Sequence, residues 1–328
     1  MKCVILSGGE GRRLNMKGTV KPLIPLLGVP LIERVILTAK KSGLNDFYIV
    51  TGYHNAQIRA HLEIFGEKRG INITFIQNDE WEKGNGLSAL KVKDYVDENF
   101  ILLMCDHIYS ESILKKLKNE KITDREVILV VDYNIDNNSQ VDSVDATKVL
   151  VDNNREIMNI GKKIPHYNAF DTGIFLCSPS IFKALERSIL KGDTSLSGGI
   201  QMMSKNGMVR TIDIGNAYWV DIDNERMFKE AEKMLWTSIK KQSDGLIMRF
   251  VNRPISTRIT RYLYKSSITP NQISLISLLF AIFGACFFLF GGYINLVLGA
   301  FLAQTSSVID GIDGEIARLK FQETKFGT

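Results

Sequence analysis

Two stretches of this 328-residue chain carry residues whose types and spacing suit chemistry on phosphate groups. The first is LSGGEGRRL at 6–14, followed by a lysine-proline pair at Lys21-Pro22. A glycine turn directly after an apolar strand lets backbone N–H groups approach phosphate oxygens closely, because no side chain intervenes. Arg13 and Lys21 add the positive charge that a triphosphate requires. The stretch is neither a Walker A loop, which ends in Gly-Lys-Ser/Thr, nor a dinucleotide fingerprint, whose third glycine is replaced by Leu14. The second stretch is SSVIDGIDGEIAR at 306–318, where Asp310 and Asp313 follow the most apolar part of the chain. Carboxylates at a membrane boundary are costly unless paired or metal-bound, so they point to function.

The elements that must position these residues are legible in the periodicity. Strands are expected at 2–7, 47–51, 73–77, 100–104 and 127–132, with helices at 30–42, 55–69, 86–98 and 110–119. Short β-rich pieces follow at 147–151 and 172–177, then a helix around 224–240. Strands alternating with helices imply a doubly wound α/β domain over residues 1–238, with a mixed, mostly parallel sheet.

Positions 266–309 hold 44 uncharged residues, and ISLISLLFAIFGACFFLFGGY (273–293) is long enough to cross a bilayer. A second apolar run, 294–303, follows Gly291-Gly292. At roughly 1.5 Å per residue the helical stretch spans about 66 Å, enough to cross a core of about 30 Å and return. A transmembrane hairpin would place Asp310 on the side of residues 239–271, a basic juxtamembrane linker. Lys240, Lys241, Arg249, Arg253, Arg258, Arg261 and Lys265 face a single Asp244 there. Positive charge beside a first span marks the cytoplasmic side. A multi-pass protein of the cell membrane is therefore expected, with its N-terminal domain in the cytoplasm and no signal peptide before its first strand. The linker reads as an interfacial helix interrupted near Pro254, with Ile255, Ile259, Tyr262 and Leu263 pointing inward, or as a solvated basic linker. The whole chain has a net charge of +5, so outside this linker it is near neutral, which excludes a generally basic, nucleic-acid-coating protein. Cys3, Cys105, Cys177 and Cys286 are scattered without metal-finger spacing and read as reduced thiols.

Gly9-x-Gly11-x-Arg13-Leu14 with Lys21-Pro22 resembles the opening of the sugar-nucleotide type of nucleotidyltransferase, and the resemblance runs over residues 1–235. It implies a nucleotide site at Leu6, Gly8, Gly9, Gly11, Arg13 and Lys21, with Gly84, Asn85 and Gly86 of EKGNG against the nucleobase and ribose. Arg13 would stabilise the departing β,γ-phosphates and Lys21 the α-phosphate. Asp106, at the end of ILLMCD, and Asp221 of YWVDID match the family's metal-binding aspartates, with Asp223 ranked behind Asp221. By itself Asp106 equally reads as a cap or turn residue at a strand end. The implied cofactor is Mg²⁺, with Mn²⁺ as the alternative. For a phosphorylated acceptor, Lys162 of IGKKI and Lys148 are candidates, each of which alone also reads as solvated surface. Asp171 lies in a stretch resembling the one that closes over the acceptor, and His107 reads as an orienting or packing residue.

Asp310-x-x-Asp313-Gly314-x-x-Ala317-Arg318 is similar to the opening of the CDP-alcohol phosphotransferase signature, covering residues 272–328 with the preceding hairpin. The resemblance makes Asp310 and Asp313 half of a metal site and assigns Gly314 and Arg318 to the CDP-alcohol. Two further aspartates of that pattern fall beyond Thr328, so the chain reads as part of a longer protein with an incomplete second site. Such enzymes are typically dimeric through the membrane domain, which points to a homodimer. The fusion resembles the family of bifunctional inositol-1-phosphate cytidylyltransferases/di-myo-inositol-phosphate-phosphate synthases, and implies CTP and inositol 1-phosphate as substrates. CDP-glycerol or CDP-choline synthesis for a lipid headgroup, or a membrane segment that serves only as a tether, are the alternatives.

Overall fold

The computed structural model describes residues 1–14, 18–136, 141–239, 245 and 248–323. It divides into two compact units, Met1–Leu26 with Pro30–Ala231, and Leu27–Val29 with Glu232–Thr328. Lys240, Lys241 and Asp244 of the basic linker and Gly327 lie outside the described residues.

From its N-terminus the chain runs β1 (Lys2–Ser7), β2 (Pro25–Leu26), β3 (Val29–Pro30), α1 (Leu31–Lys41), β4 (Asp46–Thr51), α2 (Asn55–Arg69), β5 (Asn72–Gln77) and α3 (Asn85–Leu90). Next come β6 (Phe100–Met104), β7 (His107–Tyr109), α4 (Glu111–Lys118), β8 (Val127–Asp132), β9 (Lys148–Val151), β10 (Ile157–Gly161) and β11 (Ala169–Cys177). The series closes with α5 (Ser180–Leu190), α6 (Leu196–Ser204), β12 (Val209–Asp213), β13 (Trp219–Asp221) and α7 (Glu225–Ser238). The expected helix over 86–98 ends early. α3 stops at Leu90 and residues 91–95 form turns, although Val92 and Val96 still reach the core.

The central sheet is ordered β10-β9-β11-β6-β1-β4-β5, with β8 joining β11 and β12. It is parallel through β5, β4, β1 and β6, and turns antiparallel where β11 enters. β1 carries the run Cys3-Val4-Ile5-Leu6, buried throughout, as a strand covered on both faces must be. Val4 and Leu6 share one core cluster with Phe182, Leu185 and Ile200 of α5 and α6.

This topology decides where the chemistry falls. From β1 the chain moves one way to β4 and β5, then returns to the other flank of β1 as β6. Leu6 pairs with Met104 in register, so the glycine turn after β1 and Asp106 after β6 emerge side by side at the carboxyl ends of adjacent parallel strands. That is the crevice where open α/β sheets bind ligands. A small second sheet pairs Asp221 of β13 with His107 of β7. It is tied to the large sheet by the buried Trp219, whose Nε1 donates to Asp132 Oδ2 at 3.0 Å.

In the second unit, α8 (Arg253–Leu263) precedes two long helices, α9 (Pro270–Leu289) and α10 (Tyr293–Leu319), that pack along one another. Both are long and apolar enough to cross a membrane. Their outward side chains are apolar, for example Leu278, Phe283 and Phe301, whereas Ser277 and Ser306 hydrogen-bond between them at 3.0 Å.

The tie through Trp219 gives a direct expectation. Trp219→Phe keeps an aromatic ring, though a smaller one, and leaves the Asp132 oxygen without its indole donor, and should lower stability by about 1–3 kcal/mol. Urea denaturation of the full chain, followed by far-ultraviolet circular dichroism, measures this. An unchanged midpoint would mean that the bond does not secure the small sheet.

Candidate active site

The glycine turn, the β6–β7 junction and the segment after β13 enclose a cleft of about 750 Å³. At its floor is Lys21, 6% exposed, which begins a short helical turn at Lys21–Leu23. Its Nζ donates to Asp106 Oδ2 at 2.5 Å and to Asp223 Oδ1 at 2.7 Å. Gly11 has a left-handed φ of +66°, and a side chain there would meet Lys21 at 2.5 Å. The glycine is therefore required for the loop to fold over the lysine stem.

The charges continue outward in alternation. Arg13 Nη2 donates to Asp223 Oδ2 at 2.7 Å and pairs with Asp145 Oδ2 at 2.6 Å. Lys162 Nζ then donates to Asp145 Oδ1 at 2.9 Å. Asp106, Lys21, Asp223, Arg13, Asp145 and Lys162 thus form one line across the cleft.

Burial and charge compete at every position. Burial favours neutral Lys21, but Asp106, Asp223 and Asp221 outweigh it and raise the pKa of the ammonium above its ordinary value. Burial likewise opposes ionisation of Asp106, yet Lys21 and His107 hold its carboxyl below the usual range. At Asp221 burial wins and the carboxyl is raised. His107 is buried, which opposes its charging. Asp221 and Asp106 nonetheless push it up to about 10, and its Nδ1 faces Thr172 O at 2.6 Å. The ring thus lies between the Thr172 carbonyl and the Asp221 carboxylate.

Ligand atoms of Asp106, His107 and Asp221 lie within 4.8 Å of one another. Asp221 Oδ1 is buried, sits 3.4 Å from His107 Nε2, and has no hydrogen-bond partner among the described residues. A desolvated carboxylate oxygen beside a second carboxylate suits a hard divalent cation, which prefers oxygen donors. The residues present fit such an ion.

Leu6, Gly8, Gly9, Gly11, Arg13, Lys21, Asn85, Asp106, Lys162, Asp171, Asp221 and Asp223 all line the cleft. Gly84 and Gly86 instead allow close approach to Thr194 and Ser195, where a side chain at Gly86 would meet Ser195 backbone at 2.6 Å. Asn85 between them accepts from Leu196 N–H at 2.9 Å. Lys148 is outside the cleft wall, its Nζ 5.2 Å from the Tyr167 ring centre. The sequence reading missed Asp145, which bridges Arg13 and Lys162. Its place three residues before Lys148, in VDSVDATK, carries no signal without the fold.

In the second unit Asp310 is exposed on α10, and Asp313 accepts a hydrogen bond from Ser274 of α9. Gly314 lies under the Arg318 guanidinium, where a side chain would approach Nη1 at 3.1 Å. Of the apolar α8 residues expected to point inward from the basic ones, three are open on the surface of the unit and one packs within it. Ile255, Ile259 and Tyr262 are exposed, and of the four only Leu263 packs against the apolar cluster of Ile273, Ile312 and Ile316. The buried stripe is Arg253, Ser256 and Thr260, which face a polar partner on α10, so α8 is polar inside and apolar outside. The interruption expected near Pro254 coincides with the point where a short π-helical turn, Met248–Asn252, gives way to α8, with Pro254 in the first turn of α8.

Comparison with known proteins matches residues 3–195 to the MobA-like NTP transferase domain and residues 267–328 to the CDP-alcohol phosphatidyltransferase family. The chain is 34% identical over 329 residues to a "bifunctional IPC transferase and DIPP synthase" of Aquifex aeolicus, covering 99% of this chain and 72% of the relative. The protein of the same name from Thermococcus kodakarensis is 32% identical, with 99% of this chain and 71% of the relative covered. Among solved structures, the inositol-1-phosphate CTP transferase from T. maritima superposes with a TM-score of 0.63 at 27% identity, covering 71% of this chain and 94% of that one.

Two outcomes follow from the cleft. Lys21→Met leaves Asp106 and Asp223 facing each other without their shared cation. It should destabilise the protein by about 3 kcal/mol, the lower end for a buried pair losing one partner because the cleft opens to solvent. An unchanged melting temperature would contradict the pairing. Asp171 supplies the second. Burial raises its carboxyl to about 6, so the folded state holds a proton that the unfolded chain releases near pH 4. Its ionisation therefore withdraws on the order of 2–3 kcal/mol of stability as pH rises from about 4 to 6. Asp171→Asn, which keeps the acceptor for Gly173 N–H, should flatten that decline. Parallel pH–stability curves for the two proteins would refute it.

Proposed function

The chain belongs to the family of bifunctional IPC transferases and DIPP synthases, and from that premise we propose that its first unit transfers a cytidylyl group from CTP to inositol 1-phosphate. A phosphate oxygen of the acceptor attacks the α-phosphorus of CTP, the α–β anhydride bond breaks, and pyrophosphate leaves. No covalent enzyme intermediate is needed, so positioning and charge neutralisation do the work.

The observation that carries this reading is the alternating line of charge across the cleft. In this reading its cations answer the four phosphate groups of the two substrates. Lys21 faces the α-phosphate, Arg13 the departing β,γ-phosphates, and Lys162 the phosphate of the acceptor. Lys148, stacked on Tyr167, is the weaker acceptor candidate. Each cation is held by a carboxylate before substrate arrives, so an entering anion exchanges one partner for another and meets cations already placed. Asp106 and Asp221 would hold a divalent ion, Mg²⁺ with Mn²⁺ as the alternative, and Asp223 anchors Lys21 and Arg13. When bound, that ion neutralises charge on the phosphates during transfer.

The second unit extends the reading. Asp310, Asp313, Gly314 and Arg318 form the part of a CDP-alcohol phosphotransferase site contained in this chain, which would join CDP-inositol to a second inositol 1-phosphate. α9 and α10 would form a hairpin across the bilayer. α8 would lie at its surface, with Ile255, Ile259 and Tyr262 in lipid and Arg258, Arg261 and Lys265 toward anionic headgroups. Residues 1–238 would then act in the cytoplasm, with 239–271 as the interfacial linker and 272–328 in the membrane.

The test is pyrophosphate release by the full chain with CTP, Mg²⁺ and a panel of phosphorylated alcohols. Inositol 1-phosphate is expected to give the highest rate. Turnover with choline phosphate or glycerol phosphate but none with inositol 1-phosphate would replace this reading with a lipid-headgroup route. Rates with UTP or dTTP above those with CTP would remove the assignment of the base. Asp106→Ala should abolish the reaction, and near-normal turnover would show that the metal assignment is wrong.

A further inference from the structure

Glu315 has no part in the chemistry described so far. It occupies an unspecified position of the Asp310-x-x-Asp313-Gly314-x-x-Ala317-Arg318 pattern, yet it is 1% exposed and its carboxylate is closely partnered. Ser256 Oγ donates to Oε1 at 2.7 Å, Thr257 Oγ1 to Oε1 at 3.1 Å, and Thr260 Oγ1 to Oε2 at 2.6 Å. Arg253 Nη1 lies 3.2 Å from Oε1 and also donates to Gly311 O at 3.3 Å.

The donors all come from α8, at positions 253, 256, 257 and 260, which share one helical face. A carboxylate taken from water is tolerated only when its lone pairs are filled, and here one helix fills them from a single side. Gly311 is the matching feature on α10. A side chain there would meet Ser256 at 3.3 Å, so the glycine lets α8 approach closely enough for the hydroxyls to reach Glu315.

Glu315 is two residues after Asp313 and five after Asp310. At about 100° per residue it points away from both, toward the opposite side of α10. α10 is therefore held from two directions, by Ser274 of α9 at Asp313 and by α8 at Glu315. Together these contacts set the rotation of α10 about its axis, and rotation decides where Asp310 and Asp313 face. We propose that Glu315 is a positioning residue, which clamps α8 to α10 and thereby orients the Asp310–Asp313 pair toward its metal and CDP-alcohol. The inference rests on the phosphotransferase reading of the second unit and adds to it a residue and a helix outside the signature.

The test uses the full-length protein in detergent micelles, with Mn²⁺ as probe and electron paramagnetic resonance as readout. The Mn²⁺ component lost in a D310N/D313N variant defines the α10 site. Glu315→Gln, and independently S256A/T260V, should weaken that component about tenfold or more, as losing the groups that orient metal ligands does. Pyrophosphate release by the first unit should stay unchanged in both. Combining the changes should add little, because both break the same contact. If Glu315→Gln fails to fold, the hydroxyl variant decides the question. Unaltered Mn²⁺ affinity, even with a lowered melting temperature, would reduce Glu315 to a structural anchor and leave the phosphotransferase reading standing. A wild-type protein with no component sensitive to D310N/D313N would overturn both.

Discussion

The catalytic unit depends on one buried ammonium. Lys21 is nearly excluded from solvent, so it can remain charged only because Asp106 and Asp223 hold it, and those carboxylates remain ionised because of it. The three come from distant parts of the chain: the loop after β1, the end of β6 and the segment after β13. Satisfying one cation therefore fixes three backbone segments against each other. The left-handed Gly11 follows from this constraint, since it clears space for the lysine stem.

Outward from Lys21 the same rule repeats at lower burial. Arg13 and Lys162 are half exposed, and Asp145 joins them. Ion pairs at that exposure add little to stability. Their value lies in geometry, since side chains already held in place lose less freedom when a phosphate replaces the carboxylate. The cleft is organised for anions before any arrive.

The second unit solves the reverse problem. Its helices show lipid-compatible side chains outside and conceal polar ones within, as at Ser277–Ser306, Asn252–Ser307 and the Glu315 cluster. Close small-residue contacts and hydrogen bonds define the packing between these helices, the means available to apolar helices whose outer faces already match an apolar solvent. Gly284 against Gly299 O, which a side chain at 284 would approach at 3.2 Å, is one such contact. On α8 the stripe Arg253, Ser256 and Thr260 turns toward α10, while Ile255, Ile259 and Tyr262 stay outward. Period alone finds a stripe, whereas the solvent on each side decides which stripe turns inward.

What the sequence determined by itself was the local chemistry and its order. The glycine turn, Arg13, Lys21, the aspartate closing an apolar strand, the long uncharged run and the Asp310–Asp313 pair are contiguous patterns, each with its physical reason nearby in the chain. The α/β alternation followed by apolar helices was legible for the same reason, because periodicity is local. Tertiary structure decided what meets what. Asp145 reached Arg13 and Lys162, Asp223 took its place between Lys21 and Arg13, and Glu315 found its donors on α8. Lys148 and Lys162 look alike in sequence, but only Lys162 faces the cleft. Pairings between residues far apart in the chain depend on strand order and helix rotation, and neither is written in the spacing of neighbours.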